Sequence, residues 1–162
     1  MRLKKIFYYF LSVLVLFSAC RTSPKLYSYF VSENVIQHFV SPTEWTAKNS
    51  KAKLDITYRT GTDTPAVVNI SFFGNKTIPE RVNSVFLRTA ENDCPFEYLN
   101  TILKNPDKNE LRVSFSADRD GLVNLLKAKT ITLYAEVDGI EHEYTPDKDF
   151  YSLKEKFLAA IQ

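Results

Sequence analysis

The chain has 162 residues, 44% hydrophobic, 25% charged and 14% aromatic, a composition that fits one globular domain and excludes a disordered tail or a bundle of membrane helices. With 4 Gly and 7 Pro, and no low-complexity tract or self-similar period, collagen-like, linker and repeat architectures are excluded as well. Three of the 21 Lys and Arg (Arg2, Lys4 and Lys5) lie in residues 1–19 with no acid, leaving 18 against 19 Asp and Glu, a net charge of −1. No cluster of five basic residues remains, which removes the electrostatic footprint of nucleic-acid binding.

In chain order, the first twenty residues speak most clearly. Arg2, Lys4 and Lys5 precede an apolar run over residues 6–17, interrupted only by Ser12. A spanning helix needs roughly 20 such residues, so the run is too short for a membrane anchor and has the layout of a secretory signal peptide. It ends in Phe17-Ser18-Ala19-Cys20, small residues before a cysteine, and this segment resembles the lipobox of bacterial lipoproteins. Phe17 stands where that motif usually carries Leu. The resemblance covers about twenty residues and implies cleavage before Cys20, diacylglycerol on its sulfur and acylation of the new N-terminus. Two or more acyl chains hold firmly, because each buried methylene contributes about 0.8 kcal/mol. The expected organisation is a signal peptide over 1–19, a tether over 20–25 and a single β-rich domain over 26–162. A tether this short spans roughly 20 Å when extended, which keeps the domain near the lipid.

The resemblance also implies a place. Arg21 and the residues after it lack both the Asp that marks inner-membrane retention in enterobacterial lipoproteins and the acidic run that marks surface export in the Bacteroidota. By those rules the protein faces the periplasm from the outer membrane. The aromatic, Lys- and Asn-rich composition of residues 50–162 is similar to that of small Bacteroidota lipoproteins, a stylistic likeness that carries no functional residue.

Residues 26–50 hold aromatics but no clean period. Beyond them, β-branched and aromatic runs recur over residues 53–59, 66–73, 82–88, 111–117, 130–137 and 140–144, separated by turn signals. Leu54, Ile56 and Tyr58 alternate with Lys53, Asp55 and Thr57, which predicts one buried face. Asp138-Gly139 predicts a two-residue type I′ turn, pairing Val137 with Ile140, Ala135 with His142 and Leu133 with Tyr144 on the inward side. Glu136 then meets Glu141, and Tyr134 meets Glu143, on the outward side. Residues 95–104 fit a helix through Phe96, Leu99 and Ile102, but the neighbouring strands and Pro106 favour a strand.

Two helices are predicted. Asp118 or Asp120 caps a short one over residues 122–127. Thr145 as cap and Pro146 at the first helical position open a C-terminal amphipathic helix with Phe150, Leu153, Phe157 and Ile161 on its apolar stripe. The expected fold is mainly β, an immunoglobulin-like β-sandwich with a short helix and this C-terminal helix.

Candidates for chemistry are few. His38 and His142 are the only histidines; His142, opposite Ala135, reads as a packed side chain, and His38 lies in the unassigned stretch. With Cys20 committed to lipid, Cys94 has no disulfide partner within the chain and no cysteine-hydrolase signature around it, so a buried thiol is expected. Glu136, Glu141 and Glu143 would suit a hard cation such as calcium, although a solvated face explains them more simply. Asp118-Arg119-Asp120-Gly121 opens like an EF-hand loop without the later ligands, and helix capping is the better reading. The sequons at Asn69 and Asn75 sit in a bacterial context and read as strand and turn residues. No P-loop, G-x-G-x-x-G, H-E-x-x-H, G-x-S-x-G or C-x-x-C occurs.

The only site residue expected is therefore Cys20, as a lipid attachment point, with no catalytic residue, metal or cofactor. The functional expectation is a lipid-anchored, non-enzymatic binding or structural module of the cell envelope, partnered by the membrane and by an envelope protein or glycan. The alternatives are a small Asp/Glu hydrolase or glycan-active enzyme, and a periplasmic ligand carrier.

Overall fold

A computed structural model of the protein describes residues 24–162. The expected signal peptide, Cys20 and most of the tether lie outside the described residues. In chain order the elements are β1 (Leu26–Ser32), β2 (Val35–Thr46), β3 (Lys51–Thr60), β4 (Ala66–Phe73), β5 (Val82–Arg88), β6 (Asp93–Asn105), a 3-10 turn (Pro106–Lys108), β7 (Glu110–Ala117), α1 (Arg119–Leu126), β8 (Thr132–Val137), β9 (Ile140–Pro146) and α2 (Lys148–Ala160).

The strands follow the order β1-β2-β3-β4-β7-β6-β5-β8-β9, every pairing is antiparallel, and β9 returns to pair with β2. Strands β2 to β9 thus close an eight-stranded barrel, and β1 lies outside the ring along the first half of β2. This corrects the expected β-sandwich. Short alternating strands are common to both architectures; the difference is the seam, where Trp45 pairs with Pro146 and Thr46 with Thr145. The strand that makes it, β2, lies in the stretch with no legible period, because its register with β3 shifts between Val40 and Thr43, around Ser41-Pro42. A bulge bends the strand and disrupts its alternation, letting one strand serve β1 first and the seam afterwards.

The seam also corrects the start of the last helix. Thr145 and Pro146 complete β9, and the cap is Asp147, whose carboxylate accepts the Phe150 N–H at 3.0 Å. Pro146 fits the last strand position because a proline can end a ladder at its edge. Asp118 caps α1 as expected, accepting the Gly121 N–H at 2.7 Å. The β8–β9 hairpin has the expected register throughout. Its turn has Asp138 at φ 53° and Gly139 at φ 79°, the two positive angles that a type I′ turn requires. Ile140, expected inward, is exposed beside that turn. Residues 93–105 form a strand, as favoured for 95–104.

Alternation places Leu54, Ile56 and Tyr58 of β3, Val68, Ile70 and Phe72 of β4, and Val113 and Phe115 of β7 inside the barrel. The helices fill what the strands leave open. Phe150 sets its ring edge against Trp45, with centroids 4.7 Å apart, and Phe157 packs against Tyr58 at 5.5 Å. Leu122, Leu125 and Leu126 of α1 are buried in the same cluster. Lys154 of α2 reaches back to donate to the Ala128 carbonyl at 2.7 Å, tying α2 to the segment that follows α1. The outward positions of β3 are Lys51, Lys53, Asp55, Thr57 and Arg59, so the apolar side is the interior. A membrane-spanning barrel has the reverse arrangement.

Candidate functional site

The barrel interior is occupied by packed side chains, so the surfaces that face solvent are the outer sheet and its loops. Large apolar side chains are exposed on β6 (Tyr98, Leu99, Ile102 and Leu103) and on β1. Tyr27, Tyr29, Phe30 and Val31 are all exposed, Phe30 at 87%. Register explains the arrangement: Tyr27 pairs with Phe39, and Phe39 with Thr57, while Tyr29 pairs with Gln37, and Gln37 with Arg59. These residues alternate with the inward-facing His38 and Val40, and so share the outer face. Tyr27 lies nearly parallel to Tyr29 (6.3 Å, 13°) and to Phe39 (6.3 Å, 26°), and Arg59 donates to Gln37 at 2.9 Å. The result is an aromatic strip with a cation beside it.

The strip adjoins a shallow groove of about 290 Å³ lined by Thr57, Arg59, Pro65, Val67, Leu99 and Ser116. One end is held by Gly61, at φ 71°, where an added Cβ would lie 1.9 Å from the Asn34 carbonyl oxygen. Only glycine lets the β3–β4 turn press against the β1–β2 turn in this way.

The histidines lie in different surroundings. His38 is buried under Phe157 of α2, ring centroids 6.5 Å apart. Its Nδ1 meets Ser28 Oγ at 2.9 Å, while Nε2 is buried with no hydrogen-bond partner. Burial holds its pKa below the ordinary histidine value. A serine beside a histidine is the start of a nucleophile–base pair. Here, however, Nε2 is buried without a partner. An orphaned N–H is the costlier of the two buried states, which favours the tautomer with its proton on Nδ1. Ser28 Oγ then accepts that proton's hydrogen bond, and no base acts on it. His142 is half-buried opposite Ala135, 5.7 Å from the Tyr144 ring.

Cys94 is a buried free thiol. Burial first, and the Asp118 charge second, push its pKa up to about 11, so it is not a thiolate at neutral pH. Glu136 and Glu141 are register partners, and Glu136 accepts a hydrogen bond from Asn83. Among the described residues no group of three or more His, Cys, Asp or Glu is placed to hold a metal ion.

Two polar arrangements escaped sequence reasoning. On the outer face of β3, β4 and β7, Asp55 is 0% exposed. Asn69 donates to its Oδ1 at 2.8 Å, and Arg112 donates to its Oδ2 and also to Ser71 Oγ at 3.1 Å. Both carboxylate oxygens are engaged within the fold, so the cluster braces three strands. Asp55 occupies a regular outward position in β3, and nothing in its spacing signals burial. On β5 and β8, Arg88 lies over the Phe86 and Tyr134 rings at 4.8 and 4.7 Å and forks onto Asp93. That hydrogen bonding holds the Asp93 carboxyl below its ordinary range.

Compared with protein-family models, curated proteins and solved structures, the chain matches none of them. Nothing in the described residues indicates an enzymatic activity.

Proposed function

We propose that this protein is a lipid-anchored module of the bacterial cell envelope that works by binding and carries out no chemistry. The anchor is Cys20 and the domain faces the periplasm from the outer membrane, as the lipobox resemblance implies. The observation that carries the binding role is β1. It contributes nothing to barrel closure, yet it is paired along β2 and keeps four large apolar side chains in solvent. Exposed apolar surface of this kind marks an interaction site. The filled interior favours this reading over a ligand carrier, and the carboxylates favour it over an Asp/Glu hydrolase, since Asp55 has both oxygens engaged within the fold and Glu136 and Glu141 stand on the outer side of their hairpin.

The test is in-cell crosslinking of the lipidated protein in its native membrane, followed by purification and mass spectrometry, with Cys20→Ala as the unanchored control. A stoichiometric envelope partner that disappears in the control supports the proposal. Turnover of a cell-wall substrate by the purified protein would overturn it.

A further inference from the structure

We infer that the aromatic strip of β1 and β2 rests in the headgroup region of the membrane to which the protein is anchored, so that the barrel lies on its flank; the inference rests on the anchor at Cys20. The described chain enters the fold along the side of the barrel and not at an end. Lys25 is held there by two contacts with β2, its N–H to Ser41 Oγ at 2.6 Å and its carbonyl to the Ser41 N–H at 2.9 Å. From Cys20 to Leu26 the chain reaches roughly 20 Å at full extension. The first surface within that reach is β1 itself.

That surface has the chemistry of an interfacial contact. Tyrosine has an apolar ring and a polar tip, and it gathers where hydrocarbon gives way to headgroups. Tyr27 and Tyr29 lie in one plane-parallel row with Phe39; Phe30, which pairs with Ile36, projects from the other face of β1, the one that carries Ser28 against His38. Lys25 and Arg59 flank the row, placed to meet the phosphates of the lipid. Glu33, in the turn beyond Ser32, is the acid nearest the strip in sequence. The far wall of the barrel is set by strand order: β6 lies four strands from β2 in either direction round the ring, and its Leu103, paired with Arg112, is exposed there. A flank-down posture therefore separates Tyr29 from Leu103 in depth.

The experiment uses the full-length lipidated protein in vesicles of phosphatidylethanolamine and phosphatidylglycerol, with phospholipids brominated close to the headgroup as quenchers. Single tryptophans are introduced as Tyr27→Trp, Tyr29→Trp and Leu103→Trp, all at exposed positions, and the buried native Trp45 gives a common background. Intact mass of the N-terminal peptide reports the lipid on Cys20 independently. The expected result is emission at positions 27 and 29 that is blue-shifted and quenched by the brominated lipid, with position 103 unaffected. Solvent-like emission at 27 and 29 with Cys20 lipidated would overturn the inference and leave the anchor intact. An unmodified Cys20 would overturn the anchor and the inference together. A blue shift without quenching would mean that protein, a second copy or an envelope partner, covers the strip, and this also overturns the inference.

Discussion

The rings of Trp45 and Phe150 meet edge to face with centroids 4.7 Å apart, and Trp45 itself belongs to one of the pairs that close the barrel. Trp45 is fully buried, and its indole N–H donates to Thr43 Oγ1 at 3.1 Å. Helix α2 therefore packs directly on the seam, where only two residue pairs join β2 to β9. So short a ladder needs support from behind.

Phe150→Ala should accordingly cost about 3–5 kcal/mol, the range for removing a buried aromatic side chain. Urea unfolding followed by Trp45 fluorescence measures this. Because Trp45 is the sole tryptophan, its emission should also shift to the red before global unfolding in the variant. A loss below about 1 kcal/mol would mean that α2 does not brace the seam.

This seam is also where sequence reasoning stopped. Ala66–Phe73, paired without a register shift, was legible to the residue, as was Val82–Arg88 despite the shift between Val82 and Ser84, and Asp138-Gly139 was enough to set a whole hairpin register. Barrel against sandwich was not legible, because it depends on Trp45 meeting Pro146 across a hundred residues, and the bulge at Ser41-Pro42 hides β2 as a strand. Thr145-Pro146-Asp147 offers two helix starts, and pairing with β2 consumes the first. The aromatic strip was hidden for a related reason: Tyr27 and Phe39 become neighbours only once β1 and β2 pair.

His38 makes stability depend on pH. Its folded pKa lies below the ordinary value, so the unfolded chain binds its proton first, and the stabilisation present above about pH 6.5 is lost as the pH falls through the folded value. Thermal unfolding at pH 7.5 and 5.5 should show a drop in Tm that His38→Phe reduces, since phenylalanine keeps the packing on Phe157 and cannot charge. An equal drop in both proteins would show that His38 is not its source.

Cys94 should resist alkylation. With its pKa raised to about 11 and its sulfur buried, iodoacetamide at pH 8 should leave it unmodified in the native protein and label it fully in denaturant. Prompt native labelling would show that the β5–β6 end of the barrel opens.

The Asp55–Arg112 pair gives the sharpest electrostatic test. Removing one partner strands a charge that has no exposure: Arg112→Ala should cost about 2–3 kcal/mol, below the fully buried range because Arg112 itself is partly solvated. The double variant Asp55→Ala/Arg112→Ala should recover part of that loss in a double-mutant cycle. Additive losses would deny the coupling that the geometry implies.

Everything proposed about function begins at Cys20. The direct measurement is the intact mass and N-terminal sequence of the protein extracted from bacterial membranes, beside Cys20→Ala expressed the same way. The account predicts a chain that begins at Cys20 and carries the mass of diacylglycerol plus an N-acyl chain, with the variant lost from the detergent phase. A mature chain that begins elsewhere, or an unmodified Cys20 in the membrane fraction, would contradict it.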